Sequence, residues 1–225
     1  MTTTAPAATT HHRPGSGPAL ALALAGPAFL LYAAVRPAGD TLADMASTAW
    51  VVAHLGAIAG FVLLLFGLAG LRSTLAGGRG ERPALLAAVT GTVGVGLTLP
   101  YYGAEDFGLH AIGRAALAAS GPTASVLAGL PDAVRFDPAP TVTFLVGLLL
   151  LALAAVLAAV ALHRATVPSW AAVPLAAAFV LFIPQFFAPA PVRVLHGVLL
   201  AVGCVTTAVA LARRSGRPVS APPRR

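Results

Sequence analysis

The stretch TVTFLVGLLLLALAAVLAAVAL, residues 141–162, decides the fold. It holds no charge and no proline, and it exceeds the roughly 20 apolar residues that carry an α-helix across about 30 Å of hydrocarbon. In lipid such a segment has to be helical, because a helix satisfies every backbone N–H and C=O within itself. Five further segments meet or approach that length: Pro18 to Val35, Ala49 to Leu71, Ala84 to Tyr101, Trp170 to Ala188 and Val192 to Leu211. In chain order the first and fifth of the six contain Pro27, Pro174 and Pro184, which kink membrane helices without forbidding them. The third carries Gly91, Gly94 and Gly96 and is the weakest in pattern. The reading is an all-α integral membrane protein, a bundle of about six transmembrane helices with a short outer interfacial helix.

Composition agrees. The chain is 58% hydrophobic and only 9% charged, against roughly 25% charged in a soluble domain. So few charges cannot wet the outside of the molecule, and the lipid bilayer is its first partner. The net charge of +7 does not point to nucleic acid, because the basic residues are scattered between apolar segments and form no single patch. All 14 basic residues are Arg. With the abundance of Ala, Gly, Pro and Val, this suggests a G- and C-rich coding bias and a bacterial source. Cys204 is the single cysteine, so one chain holds neither a disulfide framework nor a thiolate metal cluster. It reads as a small buried hydrophobe.

Residues 1–17 lack apolar periodicity and read as a disordered cytoplasmic tail, in which His11 and His12 have nothing to preorganise them. Residues 18–212 form the membrane domain, with a long outer loop at 102–140. Residues 213–225 form a basic cytoplasmic tail able to meet anionic lipid headgroups. The first segment reads as a permanent helix, since it outruns the roughly 7–15-residue apolar core of a signal peptide and lacks a clear cleavage site.

Arginine placement gives the bundle a direction. With the N-terminus inside, the inner segments collect Arg13, Arg72, Arg79, Arg82, Arg164, Arg213, Arg214, Arg217, Arg224 and Arg225, with Glu81 the only acid. The outer segments hold Arg36, Arg114, Arg135 and Arg193 against Asp40, Asp44, Glu105, Asp106, Asp132 and Asp137. Every inner loop obeys the positive-inside rule. The expected location is a bacterial plasma membrane, crossed several times, with both termini cytoplasmic.

Ionisable groups inside membrane segments are costly and mark function by default. His54 in the second segment and His196 in the sixth both fall near the outer ends of their helices. Glu105, Asp106 and His110 follow the third segment directly. Asp106, His110 and Arg114 are spaced i, i+4, i+8 on a presumed short helix, which stacks them on one face. Asp106 is then placed to orient the His110 imidazole, and Gln185, between Pro184 and Phe186, adds a hydrogen-bonding wall. The bland alternatives are a solvated polar stripe for the trio and histidines bonded to nearby carbonyls. His163, Arg164, Trp50, Trp170, Tyr101 and Tyr102 read as interfacial anchors. Gly56, Gly60, Gly67 and Gly70 permit close helix approach.

His54, His110 and His196 with a carboxylate have the donor chemistry of a zinc site, and His54 with His196 that of bis-imidazole haem ligation. No HExxH, HxxxH or Cys ligand motif specifies either. The sequence therefore supports three roles: an outward-facing His/carboxylate site binding metal or haem, a small solute or proton-coupled transporter, or a non-catalytic accessory membrane protein. No motif assigns an enzymatic activity.

Overall fold

A computed structural model describes residues 16–166 and 169–215. The tail with His11 and His12, and the Arg-rich end beyond Ser215, lie outside the described residues. The described chain is all-helical, as expected. In chain order it forms α1 (Gly17–Val35), a short α2 (Leu42–Met45), α3 (Thr48–Leu75) and α4 (Glu81–Gly103). A π-helical turn, Ala104–Leu109, leads directly into α5 (His110–Ala118), and α6 (Gly121–Phe136) and α7 (Pro138–Arg164) follow. A 3₁₀ turn Ser169–Ala172, α8 (Val173–Val180), a second 3₁₀ turn Pro184–Phe187 and α9 (Ala190–Ser215) complete it. Among the described residues five helices are long and apolar enough to cross a membrane.

Neighbouring elements close into a ring, α1–α3–α4–α7–α8–α9 and back to α1. Glycines set how tightly it closes. A Cβ at Gly67 or Gly70 on α3 would run into Leu22 or Pro18 of α1, and one at Gly94 on α4 would come within 2.9 Å of the Gly147 carbonyl on α7. Of the glycines that weaken the third segment as a pattern, Gly94 thus lets α4 and α7 touch and Gly91 makes room for Leu68 of α3, as small residues do at membrane interfaces. Phe29, Phe61, Leu64, Leu68, Leu151, Ala154 and Phe179 fill the centre.

Two expectations are corrected. The fifth segment is not one spanning helix. Its α8 has 8 residues, a rise of about 12 Å, and it ends before Pro184. Proline has no N–H for the Val180 carbonyl, and its ring crowds that carbonyl. The chain turns through 181–183 instead and finishes the passage as the 3₁₀ turn.

The outer loop is also more regular than expected. Its first helix is a continuation of α4, so that Glu81–Ala118 runs as one helical rod of 38 residues. The remainder, despite Pro122 and Pro131, is mostly the helix α6. Pro122 lies in the first turn of α6, where a missing N–H costs nothing, and Gly121 makes the bend at φ +60°.

Candidate functional site

The ends of α1 and α4 and the starts of α3, α7 and α9 meet at one end of the bundle. Arg193 at the start of α9 donates to the Arg36 and Pro37 carbonyls at the end of α1, at 2.9 and 3.0 Å. At the opposite end Arg214 of α9 donates to the Ala165 carbonyl that closes α7. α9 therefore runs antiparallel to α1 and parallel to α7, with the short α8 passage between them. Among the described residues, Arg72, Arg79, Arg82, Arg164, Arg213 and Arg214 fall at the second end. The acids other than Glu81 fall at the first.

The first end holds a chamber of about 400 Å³. Its polar lining includes Tyr32 and Arg36 with α1, His54 of α3, Tyr101 and Tyr102 of α4, Glu105 of the π turn, Arg135 of α6, and Arg193 of α9. Asp40 of the α1–α2 connection, Thr141 of α7 and Gln185 of the second 3₁₀ turn add to it. Phe144, Leu145 and Phe186 supply apolar wall.

Glu105 is the hub. Arg135 grips its carboxylate with two parallel hydrogen bonds, Nε to Oε1 at 2.7 Å and Nη2 to Oε2 at 2.8 Å, the planar fork that makes arginine pairs strong. Arg135 also reaches Asp40 at 3.5 Å, and Arg36 pairs with Asp40 from the other side. The Glu105 backbone carbonyl accepts from the Trp50 indole N–H at 2.6 Å. Both guanidinium groups lie over the Trp50 ring, at 5.2 and 5.5 Å, within cation–π range. Trp50 is fully buried and Tyr102 nearly so. Neither is the interfacial anchor the sequence suggested, whereas exposed Trp170 fits that role.

His54 stands in an aromatic cage of Trp50, Tyr32 and Tyr102, with ring centroids 4.6, 5.5 and 6.0 Å away. Its Nδ1–H donates to the Trp50 carbonyl at 2.8 Å, which fixes the tautomer and turns Nε2 toward Glu105, 3.9 Å from Oε2. That separation is too long for a hydrogen bond. Gln185 is 5% exposed, and neither its amide oxygen nor its amide nitrogen has a hydrogen-bond partner.

No family model, curated protein or solved structure matches the chain. The geometry alone carries the functional reading.

Of the polar residues singled out in the sequence, His54, Glu105 and Gln185 meet in the chamber, while Asp106, His110, Arg114 and His196 do not line it. Asp106 is fully buried in the π turn with both carboxylate oxygens lacking a hydrogen bond. Asp106 turns inward from that π turn, while His110 and Arg114 still share one face of α5, with Arg114 exposed. His110 donates from Nδ1 to the Met45 carbonyl at 2.9 Å and pins α2 to α5.

His196 has a structural task. Where α8 breaks, the Phe182 N–H turns to the Phe179 carbonyl. The Ala178 carbonyl is left at a helix end, where a partner must come from outside the helix. His196 Nε2–H donates to it at 2.7 Å. The histidines of the supposed metal set are thus spent on three different carbonyls. Among the described residues no group of three or more His, Cys, Asp or Glu side chains is placed to hold a metal ion.

Sequence reasoning passed over Arg36, Arg135, Arg193 and Tyr32 as site residues. Their one advance signal is that three of the four outer arginines, Arg36, Arg135 and Arg193, border apolar runs on the acid-rich side.

Proposed function

We propose that this chain is a non-catalytic, ligand-binding multi-pass protein of a bacterial plasma membrane, whose chamber opens on the outer face and holds a small amphipathic guest. The observation that carries this reading is Gln185: a buried amide with both polar atoms unpaired, on the wall of a chamber of about 400 Å³. An unsatisfied buried polar group costs roughly 1–3 kcal/mol, and a guest that bonds it recovers that cost. Chambers of this size with a mostly apolar lining and a few convergent polar groups are typical small-molecule sites.

The outward direction follows from the arginine-rich opposite end and the positive-inside rule. Transport is less well supported, because the floor below the chamber is filled by Phe61, Leu64 and Leu151. No observation favours zinc or haem over a small organic guest.

The test is thermal denaturation of the protein in phosphatidylcholine nanodiscs with three matched probes, 4-phenylbutyrate, 4-phenylbutanol and 4-phenylbutylamine. A guest that binds the folded state raises the midpoint in a concentration-dependent way. At least one probe should do so with the native chain, and Gln185→Phe, which fills the chamber, should abolish the shift. Absence of any shift with all three refutes the reading.

A further inference from the structure

The charges lining the chamber do not balance. Three arginines, Arg36, Arg135 and Arg193, face two carboxylates, Asp40 and Glu105. Glu105 is taken up by the two-pronged bond from Arg135, and Asp40 lies between Arg36 and Arg135. The positive charge left over belongs to Arg193, which is 8% exposed. Arginine does not shed its proton in proteins. Among the described residues no carboxylate lies within ion-pair distance of it, and its Nε–H has no hydrogen-bond partner. Its two bonds go from Nη2 to carbonyls at the C-terminal end of α1, where the helix dipole offers roughly half a negative charge. A buried cation is costly until it is paired, so the chamber is built short of one negative charge.

The remaining donors point the same way. The Arg36 Nε–H is also buried and unpartnered, and the Gln185 amide contributes N–H groups without acceptors. Against these, Glu105 is taken up by Arg135, and the half-exposed Asp40 already answers two guanidinium groups. The apolar side of the chamber has aromatic character: Phe144 stacks on Tyr101 with centroids 4.0 Å apart, and Phe186 lies 5.8 Å from Phe144.

We infer that the guest is an amphipathic organic anion, with a single oxyanion head against the Arg193 guanidinium and the Gln185 amide and an apolar body along Phe144 and Phe186. This rests on the chamber being a ligand site and names the class of ligand it takes. A carboxylate and a phosphate monoanion share the chemistry required, and either a free metabolite or a lipid headgroup can present it.

The same nanodisc titration, read as dissociation constants, tests the charge. 4-Phenylbutyrate should bind at least about ten-fold more tightly than 4-phenylbutanol, the return on a charge-assisted over a neutral hydrogen bond, and 4-phenylbutylamine should be weakest. Arg193→Gln should erase the preference for the acid, and Arg193→Lys should keep most of it. Gln185→Leu, which leaves the Arg193 bonds to α1 intact, should weaken the acid several-fold and so tests the site even if Arg193 variants misfold.

Equal affinity for acid and alcohol, or tighter binding of the amine, overturns anion recognition while leaving a ligand chamber. No binding by any probe overturns the chamber as well. Repeating the titration in phosphatidylglycerol nanodiscs separates the sources. Unchanged affinity identifies a free anion as the guest, and competition identifies the lipid headgroup, both within the proposed chemistry.

Discussion

Glu105 and Arg135 are each about nine-tenths buried, and their side chains meet as a two-pronged pair. Removing one partner of a buried pair strands the other charge, at about 3–5 kcal/mol. Arg135→Met should therefore lower the unfolding free energy in detergent by about 3 kcal/mol. Arg114→Met, on an exposed residue, should stay within about 0.5 kcal/mol. Glu105→Gln combined with Arg135→Met should recover part of the loss, because the two changes share one interaction. A second residue-scale prediction concerns Asp44. The Thr41 hydroxyl and backbone N–H both donate to its carboxylate and hold it below its ordinary value of 3.8. A depressed carboxyl stabilises the fold above its unfolded value and loses that contribution as pH falls through its folded value. Amide protection factors across α2, taken against the intrinsic rate at each pH, should fall on acidification below about pH 4, and Thr41→Ala should lower them in the same way at neutral pH.

Several helix pairs in this bundle, α1 with α3 and α4 with α7 among them, approach closely at a glycine, which makes substitutions there diagnostic. Gly67→Ala would drive a methyl group into Leu22, whereas Gly96 has open space around its Cβ position. Overpacking costs typically about 1–3 kcal/mol, while Gly→Ala in an unobstructed helix gains up to about 1 kcal/mol. The two variants should shift the thermal midpoint in opposite directions. The break after α8 invites a complementary change. Pro184→Ala restores a donor for the Val180 carbonyl and lets the helix run on, which rotates Gln185 out of the chamber wall. Amide protection should then extend through 181–187, and guest binding should fall. Retained binding would show that the 3₁₀ turn does not serve the site.

For the molecule as a whole, direction is the feature to test. An alkaline phosphatase reporter fused after Ala119 should be active outside the cytoplasm, and one fused after Leu211 should be silent. Those two points lie at opposite ends of the bundle. The short fifth passage, α8 with its 3₁₀ turn, brings the chain back so that α1 begins and α9 ends at the same end of the bundle. A bundle in which α8 merely dipped and returned would make both fusions report the same side.

The apolar runs and the placement of arginine were determined by sequence alone, because both are local and additive properties. Residues 141–162 have to be a membrane helix whatever surrounds them, and each Arg biases its own loop independently of the rest. Which polar residues meet was decided only in three dimensions. The partners of Glu105 and Arg193 lie from 30 to 157 residues away along the chain. Whether a side chain reaches them depends on how far a helix has turned by its end. A single π turn carried Asp106 inward while Arg114 stayed in the open, and the break after α8 freed the carbonyl that His196 now serves. Three histidines at one depth looked like a ligand set because depth is readable from sequence. The azimuth of each side chain around its helix is set by the packing of neighbours, and the packing gave each histidine a separate carbonyl.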